Sequence, residues 1–101
     1  MTLNDIRKDL REIRYYYSMK DVFSKGAEVT HPKVLTDKVN KYNRAIALAS
    51  PRLYALYVEL YVENNTQLSL GLKWGCSEKT IRYHNKNLCV YFKNYFDKHK
   101  S

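Results

Sequence analysis

Three glycines and two prolines leave this chain of 101 residues with few of the positions at which tight turns are built. A many-stranded sheet needs such punctuation at short intervals, so helices are favoured over a sandwich or a barrel. Cysteine is as scarce. Cys76 and Cys89 lack the close pairing of a zinc module and the density of a disulfide framework. No apolar run approaches the ~20 residues that cross a bilayer, which excludes a membrane as partner. Residues 1–14 carry acids and no uninterrupted apolar core, so no signal peptide is expected. Free thiols without a targeting segment give the expectation of a cytoplasmic protein.

Signs of catalysis are missing too. There is no glycine-rich phosphate loop after a strand, no HExxH and no recognisable acid–base pair, so no enzyme and no cofactor are expected. Glu59 and Glu63 share a helical face, but exposed acids at that spacing are common. Cys76, His84 and Cys89 do not gather as metal ligands, and His84 reads as a satisfied, partly buried histidine. His31 and His99 read as loop and tail residues.

What is present is a folded-globular composition, 45% apolar and 28% charged. Its length suits a single helical domain over 1–101. Ten tyrosines offer rings that pack along one edge and hydrogen bond at the other. The formal charge is +8. After Thr66, Lys73, Lys79, Arg82, Lys86, Lys93, Lys98 and Lys100 face only Glu78 and Asp97, a balance that suits a polyanion. Lys93, Lys98, His99 and Lys100 form a basic tail that either touches phosphates or solubilises the end.

Spacing predicts an all-α fold of four to five helices. Thr2 to Asp5 resembles a capping box, and Leu3, Ile6, Leu10, Ile13 and Tyr17 make the stripe of a first helix reaching about Phe23 or Ser24. Arg7, Arg11 and Arg14 interleave with Asp5, Asp9 and Glu12, which reads as a solvated face. Tyr15, Tyr16 and Tyr17 cannot form one stacking platform, because successive helical residues point about 100° apart. Residues 25–33 form a connection, with His31-Pro32 restricting the backbone. Leu35, Val39, Tyr42, Ile46 and Ala49 mark a second helix. The N-terminal pair, 1–49, is expected to support the rest, dimerise or contact a polymerase.

Ser50-Pro51 caps a third helix that reaches about Glu63, with Leu53, Leu56, Tyr57, Leu60 and Tyr61 on its apolar face and Asn64-Asn65 after it. The tyrosines and valines of YALYVELYV suit a strand, but the proline cap and the helical recurrence decide for a helix. Thr66 or Ser69 then opens a short helix carrying Leu68, Leu70, Leu72 and Trp74. Gly71, costly inside a helix, implies close approach of a crossing helix where no side chain fits. Gly75 suits a left-handed helix end, Cys76 turns inward as a small hydrophobe, and Ser77 caps the next helix, with Glu78 offered to its free amides. Ile81, Leu88 and Phe92 or Tyr91 supply the inward face of that helix, with Tyr95 extending it, and His84 on the same side. Lys79, Arg82, Tyr83 and Lys86 face outward.

Such a helix, anchored on one side and basic on the other, is what a major-groove reader requires. Residues 51–97 therefore read as a helix-turn-helix region for double-stranded DNA, with Ser77, Glu78, Lys79, Thr80, Arg82, Tyr83 and Lys86 as its contacts. Gly71, Trp74, Gly75, Cys76, Ile81 and Leu88 form its core and turn. Arg82 is the candidate for bidentate contact with guanine, Lys79 and Lys86 for bases or phosphates, and Tyr83 for a thymine methyl or the DNA backbone.

The stretch LYVENNTQLSLGLKWGCSEKTIRYHNKNLCVYF resembles the helix-turn-helix of sigma factor region 4, and the chain resembles the small region-4-like regulators of Gram-positive phages and prophages. Gly71 matches their small residue, Gly75-Cys76-Ser77 their turn, and Thr80-Ile81-Arg82 the start of their second helix. Cys76 stands where a branched aliphatic residue is usual, and Asn85 where leucine is common. The resemblance implies a transcription regulator of phage or prophage genes, acting in the cytoplasm of a bacterial host cell and touching RNA polymerase. A homodimer on paired half-sites is a further expectation. The rival readings are a helical protein-interaction adaptor and a phage DNA-packaging recognition component.

Overall fold

The computed structural model describes residues 1–24 and 33–99. Its helices are α1 (Leu3–Ser24), α2 (Lys33–Ile46), α3 (Pro51–Tyr57), α4 (Gln67–Trp74) and α5 (Glu78–Lys98), with a π-helical turn, Val58–Val62, continuing α3. No strand occurs among the described residues. The connection containing His31-Pro32 lies outside them, as does Lys100.

The starts are chemically defined. Thr2 and Asp5 form the reciprocal box: the Asp5 amide donates to Thr2 Oγ1 at 3.1 Å and the Thr2 amide to Asp5 Oδ2 at 2.9 Å. Those bonds hold the Asp5 carboxyl below its ordinary range. Ser50 accepts from the Leu53 amide, and Pro51 occupies the first turn of α3. Each such cap contributes about 1 kcal/mol.

One core receives every helix. Ile6, Leu10 and Ile13 come from α1, and Val39, Tyr42, Ala45 and Ile46 from α2. Leu56, Tyr57, Leu60 and Tyr61 come from α3 and its π-helical turn, and Leu70 from α4. The largest share, Ile81, Leu88, Cys89, Phe92 and Phe96, comes from α5. Ala49 lies beyond the end of α2, and its side chain packs at the margin.

Several tyrosines carry their hydroxyls to a partner as they enter the interior, which removes the cost of a buried, unbonded polar atom. Tyr42 donates to Asp9 Oδ2 at 2.6 Å, Tyr57 to Asn43 Oδ1 at 3.0 Å, and Tyr91 to the Ala45 carbonyl at 2.6 Å. Two expectations change at these contacts. Asp9 and Glu12 do not sit on a purely solvated face: both bind the Lys38 ammonium of α2, Asp9 at 3.0 Å. Arg14 leaves that face as well, its Nε donating to Asn64 Oδ1 at 2.9 Å.

The end of α3 differs from a plain α-helix. The Glu63 amide reaches the Val58 carbonyl at 2.8 Å, and Asn64 follows in the left-handed region at φ 61°. Asparagine tolerates that region better than other side-chain-bearing residues. Glu59 is not a free exposed acid. It accepts from Asn65 Nδ2 and pairs with Lys73 of α4, each at 2.6 Å, and so staples the α3–α4 connection.

Candidate nucleic-acid interface

Thr66 caps α4 by accepting the Ser69 amide at 3.0 Å. Nine residues later Gly75 ends it in the left-handed conformation, φ 71° and ψ 34°. Ser77 opens α5 by accepting the Thr80 amide at 3.1 Å. A three-residue turn therefore joins two independently capped helices, and α4 packs against α5.

Gly71 is the point on which the turn closes. Its carbonyl accepts from the amides of both Gly75 and Cys76. A Cβ at this position would lie 2.7 Å from the Cys76 carbonyl oxygen and 3.3 Å from the Glu78 nitrogen. The close neighbour is thus the turn and the start of α5, all backbone, with no flexible side chain to give way. Gly71→Ala is expected to lower folding stability by about 2 kcal/mol in urea denaturation, the helix-propensity gain of about 1 kcal/mol offsetting only part of the overlap. A variant as stable as the parent would show that the turn can move.

On α5 the two faces separate cleanly. Ile81 and Leu88 are fully buried, whereas Glu78, Lys79, Arg82, Tyr83 and Lys86 are exposed. Arg82 meets Glu78 at 3.5 Å, an exposed pair within one helix and readily exchanged for another partner. Ser77 and Thr80 are engaged with each other, their hydroxyl oxygens 2.9 Å apart. His84 is half-buried beside Tyr83, and Asn85 accepts from the Tyr61 hydroxyl at 2.5 Å. That bond gives a polar residue a partner at the position where the resembling sequences carry leucine.

Cys76 is half-buried against the core. Cys89 is buried, which pushes its thiol above the ordinary range. Trp74 departs from its expected place in the core: it is exposed at the end of α4, as are Leu68 and Leu72. A helix of eight residues touching the body along one narrow stripe buries only Leu70 and Gly71.

Beside α5 the structure adds residues that spacing along the chain did not reveal. Arg7 of α1 and Gln67 of α4 join Lys79, Arg82, Tyr83, Asn85 and Lys86 around an open cleft of about 550 Å³. Arg7 belongs to a different helical stripe, and only the crossing of α1 over α5 brings it here. Among the described residues no carboxylate lines this cleft. Among the described residues no three His, Cys, Asp or Glu side chains gather closely enough to hold a metal ion. Among the same residues no helix is long and apolar enough to cross a membrane. No family model, curated protein or solved structure matches the chain.

Proposed function

We propose that this protein is a sequence-specific, double-stranded DNA-binding transcription regulator of phage or prophage genes that reads the major groove with α5. One observation carries the reading. Lys79, Arg82, Tyr83 and Lys86 project from the first turns of a helix whose opposite side, Ile81 and Leu88, is fixed in the core. A helix so anchored presents long donors at a fixed angle, which base readout requires. In this reading the Arg82 guanidinium exchanges its exposed contact with Glu78 for the O6 and N7 of guanine. Lys79 and Lys86 neutralise phosphates on either side, and Tyr83 reaches a thymine methyl. The likeness of residues 60–92 to sigma region 4 supports the transcriptional role, with RNA polymerase as a further partner and a homodimer as the binding form.

The test is duplex binding by fluorescence anisotropy, on a site selected from a random pool and on an unrelated duplex, across a salt series. Affinity is expected to fall steeply with salt. Arg82→Ala is expected to weaken the selected site by about 5- to 150-fold, the loss of one bidentate base contact, and the unrelated duplex much less. Absence of duplex binding at low salt would overturn the reading, and a protein partner that co-purifies would then favour a helical adaptor.

A further inference from the structure

We infer that the cleft between α1 and α5 seats a backbone phosphate of the bound duplex, and that Arg7, outside the helix-turn-helix, is its principal ligand. The inference rests on the DNA-binding reading and extends it to the N-terminal helix. Four cations, Arg7, Lys79, Arg82 and Lys86, border the cleft, and no acid among the described residues lines it. Among the described residues Arg7, Lys79 and Lys86 have no ion pair, and Arg82 has only the exposed contact with Glu78.

No acid of α1 stands three or four residues from Arg7, and those nearby are engaged with other groups. Asp5 caps its own helix, while Asp9 and Glu12 hold Lys38. Arg7 instead stands beside buried Cys89, where its charge opposes the upward push of burial on the thiol. Arg7 is exposed, so its charge is available to a ligand at the edge of the cleft.

A helix lying in the major groove has a phosphate chain along each flank, and Arg7, which borders the cleft from the α1 side, meets such a chain beside the reading set of α5. The guanidinium fork matches two phosphate oxygens at once, which a lysine does not. Asn85 adds a donor: Tyr61 occupies its carbonyl oxygen, leaving its amide NH2 to give. Lys8 and Arg11 sit elsewhere on α1, around a separate hollow with Tyr15 and Val34, so they serve as internal controls.

The experiment compares Arg7→Gln, Arg7→Lys and Lys8→Gln with the parent on selected and unrelated duplexes, with circular dichroism melts establishing that each folds. Arg7→Gln is expected to reduce the slope of log affinity against log salt by about 1 and to weaken both duplexes alike, by about 3- to 10-fold. Arg7→Lys should restore the slope, and Lys8→Gln should leave it at the parent's value. Neutral methylphosphonate placed at successive positions of the DNA gives a second readout that leaves the protein intact. At one flanking position it should weaken the parent but add nothing to the loss in Arg7→Gln. An unchanged slope in Arg7→Gln, an equal loss in Lys8→Gln, or no position of that kind overturns the phosphate site while leaving the reading by α5 standing. A parent protein that binds no duplex overturns both.

Discussion

Phe92→Ala is expected to remove about 3–5 kcal/mol of folding stability, a large part of the about 5–15 kcal/mol that holds a typical domain folded. Phe92 is fully buried and sits at the centre of an aromatic cluster. Its ring centroid lies 4.8 Å from that of Tyr42, 5.9 Å from Tyr57 and 6.0 Å from Phe96, the last pair stacked at 10°. Truncation loses the transfer free energy of the ring and leaves a space whose walls are rings from three helices, each fixed by its own contacts. Such walls do not collapse inward easily, which places the cost toward the upper end. Urea denaturation of Phe92→Ala against Tyr83→Ala measures it. Tyr83 is 63% exposed, and its loss should stay within about 0.5 kcal/mol. Equal midpoints for the two variants would contradict the packing described.

The second large effect is cooperative unfolding in alkali. Burial pushes the Tyr61 phenol up to about 12 and those of Tyr42 and Tyr57 further, from an ordinary value of 10.0. Above that ordinary value the unfolded chain releases these protons while the folded chain keeps them. The unfolded state then binds fewer protons, and stability falls as pH rises. Each such phenol contributes about 1.4 kcal/mol of loss per pH unit in that window. Lys38 acts in the same direction. Its hydrogen bond to Glu12 raises the ammonium above 10.5, so its stabilisation is complete below that value and disappears as pH climbs through the folded one. The share of phenolate absorbance that belongs to Tyr42, Tyr57 and Tyr61 should therefore appear together with the loss of helical circular dichroism. Ionisation of every tyrosine by pH 12 with helicity intact would show that Tyr42, Tyr57 and Tyr61 release their protons in the folded protein.

The boundaries of this fold were legible because they are local chemistry. Thr2 with Asp5, Ser50 with Pro51, Thr66, Gly75 and Ser77 each act within a few residues, and α1, α3, α4 and α5 start or end where those residues stand. The inward stripes were legible for the same reason, since helical period assigns faces. Period does not say what a face meets. Asp9, Glu12 and Arg14 have the spacing of solvated charge, yet they are claimed by Lys38, Tyr42 and Asn64, which are distant in the chain. The π-helical turn at Val58–Val62 has no compositional mark, and its consequences at Asn64 and Glu59 were hidden with it. Of the candidate interface, the outward set on α5 followed from capping and period alone. Arg7 did not, because its place depends on how α1 crosses α5. Trp74, read with the core and turn, is exposed because so short a helix gives only one narrow stripe to the body.

The 21 residues of α5 form one uninterrupted rod, about 30 Å long. Its front turns carry Lys79 and Arg82, and its rear turns are bolted to α2 through Phe92, Phe96 and the bond from Tyr91 to the Ala45 carbonyl. No swivel separates the two ends. The seating of α2 against the rear of α5 therefore fixes where Lys79 and Arg82 stand at its front.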